Sequence, residues 1–153
     1  MQKIVDVKFT KEGFEKLKQE HQNLISRRPE VLARMVEARE QGDLSENAGY
    51  HASKEELLQI DRRIRELVIL MRVGEVVDQK ASDQVRVGSI VKITDGTEIF
   101  EYQIVGRLEA DPLHGKLSEV SPIGSTLLDK KVGDEVEVEI PDGKMVYKII
   151  ELK

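Results

Sequence analysis

Apolar residues return along the first half of the chain at alternating steps of three and four. Phe14, Leu17, His21, Leu24, Arg28, Val31, Met35 and Ala38 mark one such line, with Leu32 and Val36 beside it. This is the heptad spacing that keeps one face of a helix turned towards a partner helix. Leu57, Ile60, Ile64, Leu67 and Met71 repeat it, and Gly74 closes the run. The two lines are joined by about ten residues, too few to carry the chain back along a helix, so the pattern predicts an antiparallel helical hairpin. Thr10 stands where an N-cap belongs, and Glu12 and Glu15 suit the positive end of the helix dipole. Pro29 removes one backbone donor and crowds the turn before it, which predicts a kink in the first helix. About 30 helical residues reach on the order of 45 Å, long enough to probe a narrow channel.

Beyond Asp78 the period shortens to two. Ser89 to Thr94, Glu98 to Val105, Asp134 to Ile140 and Lys144 to Leu152 read as strands of an antiparallel sheet. Asp95-Gly96 and Asp142-Gly143 are hairpin turn signals, because glycine supplies the positive φ that such turns demand. Ser125 to Leu128 reads as a short helix that lays Leu127 and Leu128 on one sheet face. The chain is therefore expected to be α+β, with a helical hairpin over residues 1–77 and a sheet domain over 78–153.

Composition sharpens this division. Charged residues make up 35% of the 153 and aromatic residues 4%, which suits a long solvated helical arm better than one large core. The 24 basic and 29 acidic residues divide 14 and 14 up to Val77 and 10 and 15 beyond it. A net charge of −5 argues against general nucleic-acid binding. Cysteine is absent, so disulfides and thiolate chemistry are excluded, and the three histidines and the carboxylates stand at no recognisable structural-zinc spacing. No apolar run approaches the roughly 18 residues that span a bilayer, and Met1 to Thr10 lacks the apolar core of a secretory signal. A cytoplasmic protein with no membrane partner is expected.

Candidate chemistry sits in the connection between the helices, Ala38 to His51, where Asp43 and Glu46 are the catalytic and metal-binding candidates. Their i, i+3 spacing puts both on one side if the tip is helical, whereas Gly42 is equally compatible with a turn. A plainer reading is structural. Asp-x-x-Glu is a common helix start, with Asp43 capping the second helix and Glu46 completing a capping box.

The runs Glu37-Ala38-Arg39, Gly42-Asp43-Leu44-Ser45-Glu46-Asn47-Ala48 and Tyr50-His51-Ala52 resemble the tip of bacterial Gre-family transcript-cleavage factors of the GreA type. Ser121-Pro122-Ile123-Gly124, Leu127-Leu128 and Val132-Gly133-Asp134-Glu135-Val136 resemble the same family's second domain. The likeness covers essentially the whole chain in order and spacing. It implies a coiled-coil N-terminal domain followed by an FKBP-like C-terminal domain acting on backtracked bacterial RNA polymerase. The globular domain is expected at the rim of the secondary channel, through Ser121 and Pro122, while the hairpin carries Asp43 and Glu46 to the active centre. The outcome would be hydrolysis of nascent RNA near its 3′ end by the polymerase, with Mg²⁺ held jointly and none bound tightly by the free protein. Arg39 and Lys54 match basic positions beside the family's tip and would attract RNA phosphates, and Tyr50 could stack on the RNA. A monomer is expected, since an intrachain hairpin needs no partner helix.

Gly49 departs from the glutamate usual at this place in GreA-type tips, which predicts a loop with less charge and more freedom. Three other readings follow from the residues: a polymerase-inhibiting paralogue without cleavage activity, a coiled-coil chaperone or adaptor, and a prolyl isomerase built on Phe100, Tyr102 and Tyr147. The chaperone predicts an apolar tip, which this one is not. Ordinary sheet packing accounts for the three aromatic residues.

Overall fold

The computed structural model describes residues 6–78 and 80–153. Contacts divide the chain into two units, one of residues 15–73 and one that joins the residues up to Phe14 to residues 74–153.

The first unit is the helical hairpin, formed by α1 (Lys11–Glu40) and α2 (Ala48–Val73). Helix α1 continues unbroken through Pro29, and Ile25, whose carbonyl loses its usual donor there, lies on the exposed surface. The expected seam on α1 is partly or fully buried at every position, with Val31 completely so. Leu32 and Val36 do not belong to it. They are 37% and 45% exposed, because a single partner helix covers only a narrow stripe. On α2 the line Leu57, Ile60, Ile64, Leu67 and Met71 is partly or fully buried at every position, with Ile60 and Leu67 buried, and it runs on through Ser53 to Tyr50.

Ion pairs fix the antiparallel register. The Arg28 guanidinium donates to both oxygens of Asp61 at 2.6 and 3.2 Å, and Arg63 donates to both oxygens of Glu20 at 2.6 and 2.9 Å. Glu56 accepts from Arg27 and, at 2.9 Å, from Arg34. Each pair is substantially exposed, so their combined contribution is to register more than to stability.

In the second unit, β1 (Val7–Phe9) pairs in parallel with β2 (Gly74–Val76). By contacts both short strands group with the unit that carries the sheet. The main sheet is β3 (Ile90–Thr94), β4 (Ile99–Val105), β5 (Lys116–Ser118), β6 (Glu135–Ile140) and β7 (Gly143–Leu152), in the order β5-β4-β3-β7-β6. The four long strands are antiparallel as expected, whereas β5 runs parallel to β4 at the edge, so the sheet is mixed. The turn at Gly96, with φ +96°, is held by Asp95 Oδ1 accepting from the N–H groups of Thr97 and Glu98.

Helix α3 spans Pro122–Leu127, starting three residues earlier than the sequence pattern indicated. Leu127 enters a core made by Val85, Val91, Ile93, Ile104, Leu117, Val136 and Ile149. Phe100, Tyr102 and Tyr147 pack against that core as a cluster, with Phe100 stacked on Tyr102 and edge-on to Tyr147.

The start of α1 belongs to this second unit. Thr10 Oγ1 accepts from the N–H of Gly13 at 3.0 Å, the cap its position predicted. Glu109 accepts in turn from the Thr10 N–H at 2.8 Å and the Thr10 hydroxyl at 2.5 Å. Gly106 permits this closeness, since a β-carbon there would lie 1.8 Å from the Lys8 carbonyl oxygen.

Candidate functional site: the hairpin tip

Helix α1 stops at Glu40, and Gly42 takes φ +138°, a region that residues with a β-carbon avoid. Asp43 follows in an extended conformation and opens a single 3₁₀ turn, Leu44–Glu46, in which no residue is buried. The tip is thus a turn rather than a continuation of either helix. Asp43 Oδ1 accepts from the Ser45 N–H at 2.9 Å and from the Ser45 hydroxyl at 2.8 Å. The N–H, then the hydroxyl, holds the Asp43 carboxyl below its ordinary value of 3.8. Among the described residues, Asp43 Oδ2 and both oxygens of Glu46 have no hydrogen-bond or ion-pair partner.

Neither acid caps α2, which corrects the capping-box reading. Asn47 does so, with Oδ1 accepting from the Tyr50 N–H at 2.9 Å and its carbonyl accepting from the His51 N–H at 3.1 Å. Its side-chain nitrogen also donates to the Ala38 carbonyl at the end of α1, at 2.5 Å. Because a backbone N–H must meet an oxygen, the Tyr50 contact fixes which way the Asn47 amide points. Sequence reasoning missed this residue. Asp43, Ser45 and Asn47 are all competent caps within five positions, and only the backbone path set by Gly42 selects among them.

The carboxylates suit a hard, oxygen-seeking cation, but no group of three metal-binding side chains occurs among the described residues. Any metal held here needs ligands from elsewhere.

Residues 7–76 match the N-terminal domain of transcription elongation factors, and residues 79–153 match the C-terminal domain of GreA and GreB. The chain belongs to the GreA/GreB family of transcription elongation factors. It is 47% identical over 149 residues to the transcription elongation factor GreA of Lactococcus lactis subsp. cremoris strain MG1363, covering 94% of this chain and 96% of that one. The GreA of Thermomicrobium roseum is 42% identical over 151 residues, covering 96% of this chain and 97% of the relative. Among solved structures, the GreA factor homolog 1 of Thermus thermophilus aligns over 97% of this chain and 99% of its own, with a TM-score of 0.45 and 29% identity.

In this GreA-type factor Arg39 lies exposed in the last turn of α1 and Lys54 exposed near the start of α2, so both helices bring a cation towards the tip. Neither has an ion-pair partner among the described residues. Tyr50 is half-buried on the α2 seam and meets the exposed His51 ring edge-on at 5.4 Å, with the ring planes at 68°. Gly49 lies within α2 rather than in a loop, which corrects the expectation of local freedom. It borders an open hollow of about 400 Å³ lined also by Arg34, Glu37, Ala38, Gln41, Ala52 and Ser53.

Ser121 caps α3. Its hydroxyl accepts from the Gly124 N–H at 3.0 Å and donates to the Ser118 carbonyl at 2.7 Å, while Pro122 occupies the first turn, where no backbone donor is needed. The pair is a helix start rather than a plain turn. Pro122 is left exposed on the surface. No helix among the described residues is long and apolar enough to cross a membrane.

Proposed function

We propose that this factor engages backtracked RNA polymerase through the secondary channel and stimulates the polymerase's own hydrolysis of RNA near its 3′ end. One observation carries the reading: the exposed tip turn presents one open oxygen of Asp43 and both of Glu46, with no hydrogen-bond or ion-pair partner among the described residues. Two carboxylates are too few for Mg²⁺, which takes six oxygen ligands and keeps waters where protein ligands run out. The polymerase therefore supplies the remaining ligands, and the free factor binds the ion weakly. When bound, the ion would stabilise charge on the phosphoryl group and favour ionisation of the attacking water. Asp43, its rotamer held by Ser45, serves as the ligand. Glu46, exposed in the tip turn, shares the ion or orients the water.

Arg39 and Lys54 attract the phosphates of the extruded RNA, and Tyr50 offers its ring for a terminal base to stack on. Ser121 and Pro122 contact the polymerase at the channel rim. The factor acts as a monomer in the cytoplasm, since each helix already buries its seam against the other.

The test presents stalled, backtracked polymerase with the native chain and with an Asp43→Ala, Glu46→Ala double variant. Cleavage by the first, with binding but no cleavage by the second, is the expected result; equal cleavage by both overturns the reading. RNA and Mg²⁺ incubated with the factor alone should remain intact.

A further inference from the structure

We propose that Asn47 is a positioning residue for the tip carboxylates, its side-chain amide tying the Ala38 carbonyl to the first turn of α2 across the loop that holds Asp43 and Glu46. The inference rests on the cleavage reading above.

The loop between the helices has little else to define its span. Its 3₁₀ turn contains no buried residue, and Gly42 adds conformational freedom rather than removing it. Packing therefore does not hold it. What remains is a short set of hydrogen bonds. The Ala38 carbonyl accepts from the Gln41 N–H at 3.2 Å and from Asn47 Nδ2 at 2.5 Å, and the Asn47 N–H reaches the Leu44 carbonyl at 3.5 Å. Among the described residues, only the Asn47 side chain links the two helices at the loop, since its Oδ1 belongs to α2 through Tyr50 and its Nδ2 to α1 through Ala38. A cap needs the oxygen alone. The nitrogen adds a tether between the two ends of the loop, and a tether of this kind matters where carboxylates must meet a metal set completed by another molecule. Misplacement by about 1 Å in such a constellation costs on the order of a hundredfold in rate.

Serine and aspartate cap as well as asparagine but offer no amide donor to Ala38. The variants Asn47→Ser and Asn47→Asp should therefore keep the helical content and polymerase affinity of the native chain. Their maximal cleavage rate on backtracked complexes should fall roughly ten- to a hundredfold. In the free native protein, NMR should show slowed exchange of the Asn47 side-chain amide and a coupling across the hydrogen bond to the Ala38 carbonyl carbon. Native cleavage rates in both variants, or an Asn47 amide that exchanges as freely as in a peptide, overturn the inference and leave the cleavage reading standing. A native chain that fails to promote cleavage at all overturns both.

Discussion

A single oxygen of Asp43, Oδ1, takes both donors of Ser45, its N–H and its hydroxyl, and so leaves Oδ2 without a partner among the described residues. Replacing Ser45 with alanine removes the hydroxyl and keeps the N–H, which is the larger of the two influences on the carboxyl. The Asp43 carboxyl should then titrate at higher pH, though still below its ordinary value of 3.8, as followed by the NMR shift of its carboxyl carbon. Asp43 remains ionised at neutral pH either way. Any loss of cleavage there reports geometry rather than charge, and with one donor retained it should fall well short of the roughly hundredfold cost of a 1 Å misplacement. Ser45→Thr, which restores a hydroxyl, should recover the native rate.

Gly49 can take a side chain. A β-carbon there would meet Asn47 Oδ1 at 3.6 Å and the Ala38 β-carbon at 3.9 Å, both ordinary contacts. Gly49→Ala should therefore stabilise the hairpin by about 0.5–1 kcal/mol in urea unfolding, because glycine gives up more backbone freedom on entering a helix. Gly49→Glu should add a smaller, salt-sensitive gain from a negative charge in the first turn of α2. A destabilised Gly49→Ala would show that the helix does not begin at Ala48.

Gly124 is the opposite case. A β-carbon at this position would come within 2.0 Å of the Ser118 carbonyl oxygen and 2.8 Å of Ser121 Oγ. Gly124→Ala must push the start of α3 away from β5 and disrupt the Ser121 cap, at a cost of about 3 kcal/mol by urea unfolding. Polymerase affinity should drop with it, while the double alanine variant at the tip leaves affinity intact. Competition binding against labelled native factor separates the two effects.

Three carboxylates hold the hairpin register, and each is held below its ordinary value first by an arginine: Glu20 by Arg63, Glu56 by Arg27 and Asp61 by Arg28. A carboxylate lowered in the folded state contributes stability that is fully present above its unfolded value and is lost as pH falls through the folded one. With ordinary values of 4.5 for glutamate and 3.8 for aspartate, the loss begins below about pH 4.5. Melting followed by helical circular dichroism should be flat from pH 7 to 5 and fall by several degrees towards pH 3. High salt should shrink the difference, since the pairs are exposed.

Long periodic elements were legible in the sequence because burial repeats many times along them. Val31 sits on a line that recurs over about seven turns, and Ile60 and Leu67 on one of about four, so one wrong residue, such as Leu32 or Val36, does not hide the rest. Strands β1, β2 and β5 have three residues each, too few for any period, and their pairing is decided by partners distant in sequence. The tip failed for a different reason. Asp43 and Glu46 fitted a capping template for α2, and whether they cap it depends on a backbone angle at Gly42 that composition does not encode. The same limit applied at Ser121, where serine followed by proline marks a turn and a helix start equally well.

The parallel pairing of Val7–Phe9 with Gly74–Val76 has a consequence for how the chain comes off the ribosome. The first strand emerges early, yet its partner is not made until both long helices have been synthesised. The hairpin has all its own contacts by then and can close first, while β1 waits as an unpaired edge with Phe9 exposed. Pulse-labelled hydrogen exchange on refolding should therefore find the hairpin amides protected before those of Val7–Phe9. Slow translation just after Val76 would lengthen the life of that unpaired strand.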